Sequence, residues 1–305
     1  LQPWQDGEAT LNPTTSTIRL DAYKRNAAET FAGLRRVLPY SLAVREVVRM
    51  RALAESGALR TPLLDVGCGD GLFWEVMTQS YLTGGSDLLK GLMGIDLNAH
   101  ELQLASLRLG ERGGLFEIVD ISENLKGHSM EGAFASVIAN CSLEHVPRLQ
   151  VALENIRTFL RPEGDFMLFV PAPLWTDTLA LKRVARRASN RMAGTVGGLL
   201  DGFFQHHHLY PHYVWRHLLG GVGFSHVEIV GLGSRLTNRL FESYLAPAFG
   251  AFLYKTVFNR YPGFHPLQAL SGHNQALFQE VTEGRFIHQD LTHPEIVEYY
   301  IRCRR

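Results

Sequence analysis

The stretch Leu63–Met77, LLDVGCGDGLFWEVM, constrains the fold of this chain more than any other. Leu63, Leu64 and Val66 make a short apolar run suited to a strand buried on both faces. Gly67, Gly69 and Gly71 follow at alternate positions, where a backbone without Cβ can turn sharply and approach a ligand closely. Leu72, Phe73, Val76 and Met77 then recur at helical spacing. A glycine turn between strand and helix presents a helix N-terminus, whose N–H groups and positive dipole end suit a carboxylate or phosphate. The order of elements is that of a nucleotide site.

The glycine spacing bears on which nucleotide. A dinucleotide fingerprint reads G-x-G-x-x-G, its third glycine permitting close helix–strand packing. Here Leu72 takes that place, and the loop reads Asp65-Val66-Gly67-Cys68-Gly69-Asp70-Gly71. This acidic residue followed by x-G-x-G-x-G resembles the first motif of the class I, Rossmann-like methyltransferases that use S-adenosylmethionine (SAM). The resemblance covers Thr61–Val170 well and Trp215–Val230 more loosely. It implies SAM as cofactor, S-adenosylhomocysteine as product, and a loop lying against the methionine part of SAM.

Downstream, strands and helices alternate. Gly84–Lys90 reads as a loop and Leu92–Leu97 as a second strand ending in Asp96. A carboxylate there suits ribose hydroxyls, or a cap for the helix beginning near Asn98. Phe116–Val119, Phe134–Ala139 and Asp165–Val170 read as further strands, with a helix at Leu149–Leu160 and a turn at Arg161–Gly164. Val227–Val230 is the sixth strand, and Ile296–Cys303 is preferred to Ala276–Val281 for the seventh. The expected fold is α/β: a Rossmann-like, mostly parallel seven-stranded sheet flanked by helices. Ligands in such sheets sit beyond the carboxyl ends of the strands, where Asp65, Asp96, Asp120 and Asn140 all fall. The resemblance gives Asp120 the adenine amino group and places Ile121 against the ring. The expected cofactor residues are Asp65, Gly67, Cys68, Gly69, Gly71, Asp96, Leu97, Asp120, Ile121, Asn140 and Cys141.

Residues 1–60 read as a lead-in and helical cap, 61–171 as the cofactor-binding core and 172–213 as a helical lid. Residues 214–305 complete the sheet around a second helical insertion at about 232–270. In the cap, Tyr23, Ala27, Phe31, Leu34 and Leu38 share one helical face. Leu42–Leu59 is a second amphipathic run with Arg45, Arg49 and Arg51 at polar positions. Helices ahead of the first motif often cover the cofactor in the methyltransferases this chain resembles, which makes Tyr23 a candidate ligand contact as well as a core residue. The lid holds the basic run Lys182, Arg183, Arg186, Arg187 and Arg191, and Gly194–Gly198 is expected to loosen it. Leu240–Phe258 is apolar but interrupted by Glu242, Pro247 and Lys255, which suits a second lid, a dimer face or a membrane-surface helix rather than a span.

Methyl transfer from a sulfonium is an in-line displacement that needs an aligned acceptor and often a base. His145, in Ser142-Leu143-Glu144-His145-Val146, follows the fourth strand, and histidine is a residue type that can take up a proton near neutral pH. It is the first candidate base, beside a structural hydrogen bond at a helix start. The Glu-His-Val piece resembles that of quinone-pathway O-methyltransferases, where an earlier glutamate joins the pair in holding a divalent metal. Cys141 stands at that place here, so no metal is expected. His206, His207, His208 and His212 lack a zinc spacing, and adjacent side chains diverge. They suit pocket lining instead: His207 and Tyr210 as catalytic candidates, His206, His208 and Trp215 as substrate contacts.

Composition narrows the function. Of 305 residues 30 are Lys or Arg and 30 Asp or Glu, a formal net charge of +0 that argues against a general nucleic-acid binder. Cys68, Cys141 and Cys303 are the 3 cysteines, an odd number with no metal-type pairing, and read as reduced thiols. No leader pattern or spanning apolar run is visible, so the cytoplasm is the expected compartment. The expected activity is SAM-dependent methylation of an O or C atom of a hydrophobic or amphiphilic small molecule. A peripheral membrane contact and a homodimer stay open. A SAM-binding protein without methylation, and an NAD-linked oxidoreductase, are the alternatives.

Overall fold

A computed structural model describes residues 16–17, 40–80, 85–258, 276, 279–280 and 283–305. Its centre is an eight-stranded sheet. In chain order the strands are β1 (Leu63–Val66), β2 (Leu92–Asp96), β3 (Leu115–Ile118), β4 (Phe134–Asn140), β5 (Leu160–Pro171), β6 (Ser225–Leu232), β7 (Ile287–His288) and β8 (Glu298–Arg304). They lie side by side as β3-β2-β1-β4-β5-β8-β6-β7. The pairings from β3 through β5 are parallel, and β8 runs antiparallel to both β5 and β6. The seven expected strands are all present, the C-terminal candidate being the last of them. The eighth, β7, pairs with β6 over only two residues, too short a run for any periodicity to register.

The central strands alternate their side chains between two cores. Leu63, Ile138, Met167 and Phe169 join one apolar cluster; Leu64, Val137, Leu168 and Val170 join the other. Both faces are therefore covered, as a parallel sheet requires. Helices α1 (Tyr40–Ser56), α2 (Leu72–Ser80) and α3 (Gly85–Lys90) supply the first cluster. Helix α4 (Ala99–Leu109) is started by Asn98, whose side chain accepts the N–H groups of His100 and Glu101. On the second face lie α5 (Leu149–Phe159) and α8 (His212–Val222), the latter ended by Gly223 in the left-handed conformation. Between β5 and α8, helices α6 (Ala180–Ala188) and α7 (Asn190–Phe203) pack together as a hairpin. Trp175, Leu179, Phe204 and Phe241 anchor it to α9 (Arg235–Ser243) and α10 (Leu245–Phe258).

Several local expectations are corrected. Gly85–Lys90 is a short helix rather than a loop. Arg161–Gly164 is a bulge inside β5, not a separate turn: the register with β4 jumps from Leu160 to Asp165, and Glu163 takes φ 60°. Gly194–Gly198 does not loosen the chain but lies within α7; Gly197 sits against the Lys182 side chain, where a Cβ would come within 3.0 Å of Nζ. The largest correction concerns α1. Arg45 and Arg49 do not sit at solvated positions: Arg49 is 6% exposed. Its Nε donates to Glu298 of β8 at 3.0 Å, and Arg45 donates to the same carboxylate at 3.1 Å. Burial disfavours a charge on Glu298, but the two guanidinium groups outweigh it and hold the carboxyl below its ordinary range.

This buried pair ties the first described helix to the last strand. Glu298→Gln should cost ~3–5 kcal/mol in chemical denaturation, because Arg45 would be left buried without a carboxylate and Arg49 with Glu46 alone. A loss under about 1 kcal/mol, typical of solvated pairs, would contradict the assignment.

Candidate cofactor and catalytic site

The site begins where β1 ends. Gly67, Gly69 and Gly71 all take positive φ, at 79°, 53° and 72°, a region in which residues with Cβ are strained. Two of them are also held to glycine by close neighbours. A Cβ on Gly67 would stand 2.4 Å from Cβ of Ser142, and one on Gly71 would press on Leu109 and Ala105 of α4. Gly69 faces open space. The loop is pinned to the end of β2: Gly67 and Cys68 donate to the Ile95 carbonyl, and Gly69 donates to Asp96 Oδ2 at 3.0 Å. Asp96 Oδ1 accepts the Asn98 N–H at 2.9 Å, so this carboxylate braces two turns at once.

Beyond these strand ends lies a cleft of about 280 Å³. Ile95, Val119, Ile121, Val146 and Pro147 give it apolar walls, and Asp96, Asp120 and Ser142 add polar groups. A slot of this make-up suits a flat heteroaromatic ring joined to a hydroxylated sugar. Of the expected residues, Gly67, Asp96, Leu97, Asp120, Ile121, Cys141 and His145 line it. Ser142, Val146 and Pro147 were not foreseen as lining. Ser142 follows the strand end in a turn, and nothing in its residue type distinguishes it from other turn serines. Asp120 Oδ1 accepts both the side-chain hydroxyl and the N–H of Ser122, which hold its carboxyl below the usual range. Cys141 takes φ 51°, a conformation that costs a non-glycine residue energy and is found preferentially at functional sites.

Other expected residues stand behind the wall. Cys68 is buried with its sulfur packed where a Cβ on Gly94 would be, so only its backbone belongs to the loop. Asp65 is 3% exposed; its Oδ2 accepts the Trp74 indole N–H at 2.6 Å, while Oδ1 has no partner. Burial pushes its pKa up to about 7. Asn140 donates to Glu46 at 3.2 Å and leaves its own Oδ1 without a partner. Glu144, 1% exposed, also has an unpartnered oxygen, and burial raises its pKa to about 7. Buried acceptors without donors are uncommon, and here they gather behind the carboxyl ends of β1 and β4.

His145 is on the cleft, partly exposed, with Nδ1 2.8 Å from the Gln205 carbonyl and His206 stacked beside it. His208 is turned onto the Val146 carbonyl, and the Tyr210 hydroxyl is 3.1 Å from its other ring nitrogen. His207 is exposed, and its N–H donates to the Glu144 carbonyl. His212 begins α8 and packs on Tyr299. Trp215 is a correction: at 0% exposure within the second core it cannot touch a substrate. Tyr23 lies outside the described residues. Among those residues no group of three or more His, Cys, Asp or Glu is arranged to hold a metal ion.

SAM fits what is present. The glycine loop leaves a cradle open over Gly69, carboxylates flank the cleft, and Asp65 and Asn140 offer buried oxygens that lack a donor, as an ammonium group would be.

Comparisons with known proteins agree with this geometry. Residues 34–229, more than half of the chain, match the sequence profile of a family described as a methyltransferase domain. A ubiquinone biosynthesis O-methyltransferase of Salmonella paratyphi A is 30% identical over 111 residues, 36% of this chain and 42% of that protein. Its counterpart in Escherichia coli O157:H7 is 29% identical over 122 residues, 39% of this chain and 47% of that protein. The matched stretch thus spans less than half the length of these relatives. The fold is similar to phosphoethanolamine N-methyltransferase 2 of Haemonchus contortus solved with SAM, at TM-score 0.50 and 14% identity over 92% of this chain and 61% of that one. With the glycine loop, the acidic strand ends and the matched profile together, this chain belongs to the class I, SAM-dependent methyltransferase family.

Proposed function

We propose that the protein methylates an oxygen or carbon atom of a hydrophobic or amphiphilic small molecule. The observation that carries this reading is the position of His145 on the cleft wall, beside a helical hairpin whose outer surface is apolar and basic. When bound, SAM supplies an electrophilic methyl group. In this reading Asp96 holds the ribose hydroxyls, Asp120 the adenine amino group and Ile121 the ring, while Asp65 and Asn140 receive the ammonium group. The loop and the lining side chains exclude water and fix the geometry that an in-line transfer needs. His145 takes the proton from an acceptor hydroxyl or an activated carbon. The names of the ubiquinone biosynthesis relatives favour oxygen as the acceptor atom.

The hairpin supports the acceptor class. Leu181, Val184, Met192, Leu199 and Phe203 are exposed large apolar residues, and Phe203 meets Phe249 of α10 at 5.8 Å between ring centroids. Arg183, Arg187 and Arg191 are exposed among them, as is Arg186, which pairs with Asp177, whereas Lys182 turns inward to Thr176 and Asp177. We read residues 172–213 as a lid that meets lipid-like acceptors at an anionic membrane surface. No helix among the described residues is long and apolar enough to cross a membrane.

Two measurements test these readings. With an amphiphilic phenol panel and SAM, wild-type protein should yield methylated product by mass spectrometry. His145→Ala should then lower turnover by roughly 10²-fold or more, as loss of a general base does, with SAM affinity unchanged; equal turnover would make His145 structural. Cosedimentation with anionic vesicles should be strong at low salt and lost in Arg183→Gln/Arg187→Gln, since screening weakens surface attraction. Equal binding to neutral vesicles, or none to either, would remove the membrane contact.

A further inference from the structure

The chain leaving α7 is fastened to the turn after β4 at several points. The N–H groups of His207 and His208 both donate to the Glu144 carbonyl, at 2.9 and 3.2 Å. His208 Nε2 lies 2.7 Å from the Val146 carbonyl, and His145 Nδ1 lies 2.8 Å from the Gln205 carbonyl. Gln205 takes φ 54° to present that carbonyl, a left-handed conformation that costs a residue with Cβ energy.

These contacts assign protons. A carbonyl oxygen only accepts, so His208 carries its hydrogen on Nε2 and its Nδ1 is an acceptor. The Tyr210 hydroxyl, 3.1 Å away, donates to it. By the same logic His145 carries its hydrogen on Nδ1, and Nε2 keeps the lone pair. That nitrogen lies 3.8 Å from Glu144 Oε1, beyond a hydrogen bond. The His206 ring stacks at 5.9 Å from the ring of His145 and packs edge-on against Trp175. Burial lowers the pKa of His206, against the pull of Asp201, which favours the neutral form of the stacked ring.

We propose that His208 is a positioning residue: by closing the Gln205–Tyr210 strap onto the Leu143–Val146 turn, it fixes His145 as the Nδ1–H tautomer with Nε2 as its one basic nitrogen. The inference rests on the reading of His145 as the base, and gives the histidine run after the lid a use other than metal binding or substrate contact. Removing the His208 side chain takes away the bond to the Val146 carbonyl and leaves that end of the strap held by backbone bonds to Glu144 alone, and His145 gains access to the other neutral tautomer.

Long-range proton–nitrogen correlation spectra of the full chain labelled with ¹⁵N-histidine test this without any acceptor. In wild-type protein His145 should show a single neutral tautomer with hydrogen on Nδ1, and His208 one with hydrogen on Nε2. His208→Ala should lose the single tautomer at His145 while SAM still binds. His208→Gln, whose amide N–H can reach the Val146 carbonyl, should restore it. A wild-type His145 protonated on Nε2, or a tautomer unchanged in His208→Ala, would overturn the proposal. If His208→Ala does not fold, the wild-type spectrum and His208→Gln still decide. A protein with the wrong tautomer that still binds SAM and transfers methyl would fail this inference alone, whereas one with the right tautomer and no methyl transfer would fail the functional reading alone.

Discussion

Gly67 and Ser142 approach so closely that no side chain fits between them: a Cβ on Gly67 would lie 2.4 Å from the serine. The Ser142 hydroxyl donates to the Val66 carbonyl, and the ends of β1 and β4 are thereby stitched together. Everything in the cleft hangs on that contact. It sets the loop of positive-φ glycines over the ends of β1 and β2, brings Cys141 and His145 to the same wall, and leaves Asp65 buried behind the loop. A larger residue at 67 would part the strand ends, and the carboxylates would no longer face one slot.

Behind this wall the molecule keeps charge where water does not reach. Arg45 and Arg49 of α1 share Glu298 of β8, and Glu46 pairs with Arg49 and with the Asn140 amide. Arg45 also lies over the rings of Trp175 and Phe241, so the helical hairpin and the N-terminal helix meet at one guanidinium. Burying ions is costly unless each is paired and hydrogen-bonded, and each ion of this network has a charged partner, although Arg45 Nε makes no hydrogen bond. Nearer the cleft, Asp65, Asn140 and Glu144 each keep an unpartnered oxygen. Unmet polar atoms occur elsewhere too, at Trp215 and Tyr300 among others, but among the described residues the three carboxyl and amide oxygens without a donor all lie beside the expected ligand.

Much of this was legible from residue order. Three glycines at alternate positions after an apolar run, and acidic residues closing later runs, are local signals, and Asp96 and Asp120 stand on the cleft as expected. The buried arginines were not legible, because the spacing of Arg45 and Arg49 on a helix is the same whether water or Glu298 lies opposite. Their partner is more than two hundred residues away. Gly194–Gly198 misled for a related reason: glycine propensity is a weak prior, overridden where Gly197 packs against Lys182. Trp215 is turned inward by its helix, into the second core, which its place in an aromatic stretch does not reveal. The sequence offers His207 as a catalytic candidate and His208 as a substrate contact, but both bond to carbonyls of the turn after β4, which no spacing rule reports.

The claim beneath all of this is that one cleft binds an adenosyl sulfonium with a buried carboxylate behind its loop. Calorimetric titration of ligand-stripped protein with SAM, repeated at pH 6 in buffers of different ionisation heat, tests it most directly. Burial keeps Asp65 protonated below about 7 in the free protein, and a bound ammonium group would favour its charged form. Binding at pH 6 should therefore release a proton, affinity should rise toward neutral pH, and Asp65→Asn should abolish the release. Absence of heat with both SAM and S-adenosylhomocysteine would contradict the account.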